Sequence, residues 1–138
     1  MNKNFTVAIV GSGPAGLSAA ARAAACRVRH VVLEKAPHLS DTIHKYQKRK
    51  LVMATPDMLP LRSDLSFRLG SREEVLGAWE SEVKKRRPNV WLNTEVTAIS
   101  GAKGGFTLTL SGGGTIKAEY IVFAIGLQGN VRQLDIPG

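Results

Sequence analysis

The sequence predicts an α/β domain in three layers: a parallel sheet, helices on one face and an antiparallel β-meander on the other. Three observations predict this arrangement. A short apolar strand over residues 7–10 leads into closely spaced glycines and an alanine-rich helix. A second apolar strand over residues 30–33 follows that helix, in the order of a parallel β–α–β unit. Three alternating strands with glycine-rich turns then precede an apolar run over residues 120–125, which predicts a return to the parallel sheet as a buried strand.

The glycines after the first strand have the G-x-G-x-x-G spacing of a dinucleotide-binding turn. Gly11 permits the tight turn, Gly13 allows the backbone to approach a pyrophosphate, and Gly16 lets the helix pack closely on the strand. Pro14 suits the first helical turn, where its missing N–H leaves no hydrogen bond unmade. The free N–H groups and the helix dipole then face an anion. The predicted pyrophosphate site therefore consists of Gly11, Ser12, Gly13, Pro14, Ala15 and Gly16.

An acid closes the second strand, about twenty residues after the glycines, where dinucleotide-binding units carry the ribose ligand. Glu34 is expected to accept hydrogen bonds from ribose hydroxyls, and Lys35 beside it completes the predicted site for an ADP moiety. Because a carboxylate disfavours a 2′-phosphate, FAD or NAD suits this site better than NADP.

The rest of the chain divides into an irregular segment, a helix and the meander. Residues 36–70 show little periodicity apart from a strand-like piece at 51–53, and such long irregular stretches are usually functional or mobile. Ser71 opens a helix with a capping box, and Pro88 ends it. The strands predicted after this helix cover residues 89–92, 95–100, 106–110 and 115–118.

Composition narrows the functional classes. The 138 residues suffice for one domain, and no apolar run approaches the length of a membrane span. The net charge of +8 concentrates in residues 44–50 and 84–87, which could attract polyanions or an acidic redox partner; solvated charge at a helix end explains the second group. No nucleic-acid-binding motif and no metal-ligand spacing is present, and we expect a cytoplasmic protein.

At these motifs the chain resembles the two-dinucleotide-binding-domain flavoproteins, the thioredoxin-reductase-like pyridine nucleotide–disulfide oxidoreductases. Residues 11–17 resemble that family's FAD-binding motif, whose Pro-Ala-Gly ending is more typical of FAD than of NAD enzymes. Residues 123–126 resemble its second motif, apolar residues followed by Ala-Thr-Gly, with Ile125 in the place of the threonine. Residues 135–138 resemble the connector to an NAD(P)H domain.

The resemblance implies FAD as cofactor, with NAD(P)H and an electron acceptor acting in a longer parent protein, which could be a homodimer. It places the backbone around Val96 near the adenine, and Ala124 and Gly126 along the cofactor. The sequence has no Cys-x-x-Cys, no second G-x-G-x-x-G and no late Gly-Asp motif. Residues 1–138 are therefore expected to form the FAD-binding domain of a larger flavoenzyme whose NAD(P)H domain would follow.

Function is predicted as the FAD-binding portion of an NAD(P)H-dependent flavoprotein oxidoreductase. Two alternatives remain open: a non-catalytic nucleotide-binding regulatory module, and an NAD-binding dehydrogenase domain, which Pro-Ala-Gly and the meander disfavour. No residue is identified as a catalyst. His38 and His44, in the irregular segment, are either proton donors near a flavin or hydrogen-bonding surface residues, and Cys26 is expected to be a small buried thiol.

Overall fold

The fold is taken from a computed structural model. The structure describes residues 4–52, 64–66 and 68–127. Three helices and eight strands are formed by these residues. In chain order they are β1 (Asn4–Val10), α1 (Pro14–Ala25), β2 (His30–Leu33), α2 (Asp41–His44), β3 (Leu51–Val52), β4 (Gly70–Ser71), α3 (Arg72–Arg86), β5 (Val90–Trp91), β6 (Val96–Ala102), β7 (Gly105–Leu110) and β8 (Thr115–Phe123). The predicted connector at residues 135–138, and Met53 of the predicted strand piece, lie outside the described residues.

The main sheet has six strands in the order β5-β2-β1-β8-β7-β6. The first four are mutually parallel, with β1 between β2 and β8, while β6, β7 and β8 form an antiparallel meander. Strand β1 is central because its residues are apolar on both faces, as a parallel strand covered on both sides requires. The predicted mixture of parallel sheet, helices and meander is confirmed.

The meander and the parallel sheet share one strand, where the sequence predicted two. Strand β8 runs unbroken through residues 115–123, because no glycine or proline interrupts it. Its first part pairs with β7 on one side and, from Lys117 onward, with β1 on the other. Beyond Ala118, β1 is its only partner among the described strands.

The prediction that residues 120–125 are buried is wrong. Tyr120 is 45% exposed, and Phe123 and Ile125 are each 65% exposed. Ile121, Val122 and Ala124 are half-buried, because these three pack against the apolar clusters on their faces of the sheet. Apolar composition identified the strand, while burial depended on which neighbours cover it.

The two faces of the parallel sheet pack against different layers. On one face Ile9 and Val32 contact Ala20 of α1. On the other face Val31 and Leu33 join meander side chains such as Leu108 in one apolar cluster. The helix layer and the meander layer therefore lie on opposite faces, as predicted.

Helix α3 packs beside α1 and begins at the predicted capping box. Ser71 accepts a hydrogen bond from the Glu74 N–H at 3.4 Å, and the Glu74 carboxylate accepts from the Ser71 N–H at 2.7 Å. Val75 and Trp79 are buried in a cluster with Leu17 of α1. The helix ends at Arg86, two residues before Pro88, as predicted.

Substituting Ser71→Ala is expected to lower the free energy of unfolding by about 1 kcal/mol, because the N-cap acceptor and its reciprocal partner are lost. Urea unfolding followed by circular dichroism measures the change. Ser81→Ala, an exposed serine inside the same helix, is the control and is expected to be neutral or slightly stabilising. Equal effects of the two substitutions would contradict the capping role.

No helix among the described residues combines the length and apolar character needed to cross a membrane.

Candidate dinucleotide-binding site

The candidate site lies where β1, β2 and β8 end, at the carboxyl edge of the parallel sheet. Gly11 leaves β1 with φ of +101° and donates its N–H to the Leu33 carbonyl at 2.9 Å. A Cβ at Gly11 would lie 2.5 Å from the Ala124 carbonyl oxygen. Glycine is required here twice over, by the positive φ and by the close approach of the segment after β8.

Gly16 and Gly13 differ in what a side chain would meet. A Cβ at Gly16 would overlap the Gly11 carbonyl oxygen, so Gly16 permits the contact between α1 and the turn. A Cβ at Gly13 would meet nothing within 4 Å, so this side of the turn is open. The turn is thus packed against protein at Gly11 and Gly16 and free for a ligand at Gly13.

The first turn of α1 suits an anion. Gly13 is the N-cap and has no side chain to satisfy the helix N–H groups, and Pro14 occupies the first helical position. No acidic residue lies in the first turn, and Pro14 and Ala15 are exposed. The positive end of the helix dipole therefore faces solvent without a compensating charge from its own helix.

Glu34 directly follows β2 and is buried, with 6% exposure. Its Oε2 accepts hydrogen bonds from the N–H of Ser12 at 2.9 Å and from the Ser12 hydroxyl at 2.6 Å. Its Oε1 accepts from the Ala36 N–H at 2.9 Å. A carboxylate has about four acceptor positions, so roughly one remains, on Oε1.

Ser40 ties the segment after β2 to the glycine turn. Its N–H lies 3.1 Å from the Ser12 hydroxyl oxygen and 3.2 Å from the Ser12 carbonyl, and its own hydroxyl donates to that carbonyl at 3.1 Å. Ser40 is buried and has φ of +54°, a conformation that costs a non-glycine residue free energy and is retained here by these bonds. Sequence reasoning missed Ser40, because 28 positions separate it from Ser12 and no motif links them.

The remaining predicted residues lie around this turn in different ways. Ala124 donates its N–H to the Val10 carbonyl at 2.9 Å, which brings the end of β8 beside Gly11. Gly126, two residues further, has φ of +67° and open space at its Cβ position. Lys35 is exposed next to Glu34.

Val96 begins β6, close to the segment that contacts Glu34. Thr94, two residues earlier, donates its N–H to the Glu34 carbonyl at 2.8 Å, and Asn93 donates to the Ala36 carbonyl at 3.1 Å. The side chain of Val96 is half-buried and packs against the meander-side core.

A charged and aromatic cluster borders the site on α2. The rings of His38 and His44 stack with centroids 3.7 Å apart, and His38 Nε2 lies 2.8 Å from Asp41 Oδ1. Lys45 Nζ lies 2.6 Å from Asp41 Oδ2. The hydrogen bond from Lys45 is the largest cause that holds the pKa of Asp41 below its ordinary value, opposed by burial and assisted by His38.

Substituting Asp41→Asn is expected to lower the free energy of unfolding near neutral pH by at most about 1 kcal/mol, since Lys45 is largely exposed. A carboxyl with a lowered folded pKa stabilises the fold above its unfolded pKa. That stabilising contribution of Asp41 is fully present above the ordinary carboxyl pKa of 3.8. It is lost as the pH falls through the lower pKa of the folded state. Urea unfolding of both proteins between about pH 7 and about pH 3 should show the difference shrinking on acidification. A difference that grows instead would contradict the assignment.

Two further residues, His30 and Cys26, lie away from the glycine turn. His30 lies with Nδ1 2.7 Å from the Val28 carbonyl and Nε2 3.3 Å from the Asn89 main-chain nitrogen, which gives it a structural role. Cys26 is exposed at the end of α1, so the predicted buried thiol is wrong: the helix ends there and, among the described residues, no layer covers it. Among the described residues no group of three His, Cys, Asp or Glu could hold a metal ion.

The glycine turn, the buried acid and the open helix terminus are features of the dinucleotide-binding α/β proteins. Comparison with known families narrows this class to one family. The sequence profile of the family "pyridine nucleotide-disulphide oxidoreductase" matches residues 8–138. The chain belongs to this family.

Individual relatives are distant and much longer. The rice (Oryza sativa) indole-3-pyruvate monooxygenase YUCCA1 is 29% identical over 94% of this chain and 34% of its own length. A ferredoxin–NADP reductase from Granulibacter bethesdensis is 28% identical over 87% of this chain and 32% of its own. The chain thus spans about a third of the length of the curated relatives it matches.

Solved structures show the same fold. The bacillithiol disulfide reductase Bdr of Staphylococcus aureus superposes with a TM-score of 0.81 at 21% identity, over all of this chain and 43% of that one. A thioredoxin reductase from Gloeobacter violaceus superposes with a TM-score of 0.69 at 19% identity, over 97% and 40% of the two chains. The Rossmann-like architecture of these proteins is the architecture of this chain.

Proposed function

We propose that this chain holds the ADP half of FAD and serves as the FAD-binding portion of an NAD(P)H-dependent flavoprotein oxidoreductase. The observation that carries the proposal is the pairing, at one sheet edge, of an open glycine turn at Gly13 with a buried carboxylate at Glu34. The open turn at Gly13 suits a pyrophosphate, and the Glu34 carboxylate suits a ribose. The two are joined because Ser12 of the turn donates hydrogen bonds to Glu34.

The residues divide the ligand between them. The pyrophosphate would lie over Gly13 and the first turn of α1, where no side chain caps the helix N–H groups and the first turn itself carries no acid. A ribose hydroxyl would donate to the remaining acceptor position of Glu34 Oε1. Lys35, exposed beside Glu34, adds positive charge near the phosphates.

The neighbouring segments extend the site in both directions. The backbone at Val96 would face the adenine, since residues 93 and 94 bond the main chain around Glu34. Ala124 and Gly126 would run along the cofactor beyond the pyrophosphate, because the end of β8 adjoins Gly11. Bound FAD supplies the redox chemistry, accepting a hydride from NAD(P)H, while these residues bind and orient it.

The parent protein would add the nicotinamide site and the electron acceptor. Relatives named as ferredoxin–NADP reductases support NADP(H) and a redox partner, and a relative named as a monooxygenase supports a different acceptor. This chain matches about a third of the length of each of these relatives, and we assign the flavin-binding role to that shared portion. The same proposal treats residues 1–138 as one FAD-binding domain of a longer flavoenzyme.

The proposal is tested by calorimetric titration of the chain with ADP, FAD and NADH, with amide NMR shifts to locate the contacts. ADP and FAD are expected to shift the amides of residues 11–16 and 34, and NADH is expected to bind less tightly. Tighter binding of NADH would favour an NAD-binding dehydrogenase domain. Absence of ADP and FAD binding by the folded chain would overturn the proposal.

Gly13→Val is expected to weaken ADP binding by at least about tenfold, about 1.4 kcal/mol, without unfolding the chain. Its backbone angles, φ −69° and ψ −175°, suit any residue, and the added side chain would occupy the open side of the turn. Gly105→Val, at an equally open glycine in β7, is the matched control and should leave ADP binding unchanged. Normal binding by Gly13→Val would place the pyrophosphate elsewhere.

A further inference from the structure

We infer that Ser12 is the positioning residue for ribose recognition: its hydroxyl fixes the Glu34 carboxylate so that Oε1 faces the ligand. The inference rests on the proposed function. Ser12 is fully buried, so its side chain acts through Glu34 and does not itself contact a ligand from solvent.

The hydrogen bonds at Oε2 are directional and leave that oxygen no free capacity. The Ser12 hydroxyl and N–H both donate to Oε2, at 2.6 and 2.9 Å, which uses about two acceptor positions of that oxygen. Bonds to an ionised acceptor are stronger than neutral ones, and this pair is buried where water does not compete. Oε2 is therefore turned toward the glycine turn and Oε1 away from it.

The Ser12 hydroxyl is itself oriented by a second contact. The Ser40 N–H lies 3.1 Å from the Ser12 oxygen, and since that oxygen accepts from Ser40, its hydrogen points to Glu34. A main-chain donor thus sets the direction of the hydroxyl, and the hydroxyl sets the direction of the carboxylate. The glycine turn and the ribose ligand are coupled through one side chain.

The test compares ADP with 2′,3′-dideoxy-ADP, which lacks both ribose hydroxyls. The native chain is expected to prefer ADP by about tenfold, corresponding to about 1.4 kcal/mol. In Ser12→Ala the preference should fall below about threefold, because Glu34 loses the shorter of the two bonds at Oε2 and keeps there only the main-chain bond from residue 12. A purely structural role would weaken both ligands equally and leave the ratio unchanged, which would overturn the inference.

Ser71→Ala is the control for stability loss, since it removes a hydroxyl whose hydrogen bonds are with Glu74 and should keep the native preference. If Ser12→Ala does not fold, Ser12→Cys replaces it, being similar in size and a much weaker donor. The failures are distinguishable. A native chain that binds neither ligand overturns the proposed function, and the inference with it. A native preference that survives in the Ser12 variant overturns the inference alone.

Discussion

Gly16→Ala is expected to destabilise the fold by about 3 kcal/mol, within the upper range for overpacking a tight contact. The added Cβ would overlap the Gly11 carbonyl oxygen, which is backbone and cannot rotate away. Either α1 moves from β1 or the glycine turn distorts, and both disturb the packing of Leu17 and Ala20 on the helix. Urea unfolding measures the change, and the ADP titration should show weaker binding because the turn carries the proposed pyrophosphate site.

Gly77→Ala is the matched control for Gly16→Ala. Gly77 also lies inside a helix, α3, but a Cβ there would meet nothing within 4 Å. This substitution is expected to stabilise the protein by roughly 0.5–1 kcal/mol through helix propensity alone. Opposite signs at the two glycines would show that close packing is the cause. A neutral Gly16→Ala would mean that α1 and the turn separate at little cost.

Glu34→Gln is expected to reduce both stability and ADP affinity, the first by about 1–3 kcal/mol. Three protein N–H or O–H groups donate to the two carboxylate oxygens, and an amide can accept at only one of its two positions. In either orientation the NH₂ group would face a donor and leave it unpaired in a buried place. We expect ADP affinity to fall about tenfold, since Oε1 is the proposed ribose acceptor.

Glu95→Gln is the control, because Glu95 is an exposed acid on the segment that leads into β6. Its stability and ADP binding should match those of the native chain. Normal ADP affinity in Glu34→Gln, with the expected loss of stability, would make Glu34 a structural residue and place the ribose elsewhere. An unchanged stability would contradict the hydrogen bonds at the carboxylate.

Local sequence predicted most of the elements and most of the candidate site. The glycine spacing, Pro14 and Glu34 identified the turn, the helix start and the acid, because each is a short-range requirement of backbone conformation or charge. The capping box at Ser71 and the stop before Pro88 were predictable for the same reason. The short helix α2 was not, since four residues show no helical period.

Tertiary structure alone decided the contacts that join distant segments. Whether Phe123 is buried depends on which strands lie beside β8, and Ser12, Glu34 and Ser40 meet only because β1, β2 and the following loop converge at one sheet edge. Hydrophobic periodicity predicts which residues can be buried, because it depends only on the spacing of apolar residues that are close in sequence. The choice of partner for a buried hydroxyl or carboxylate depends on positions 22 and 28 residues apart, and only the packed fold sets those distances.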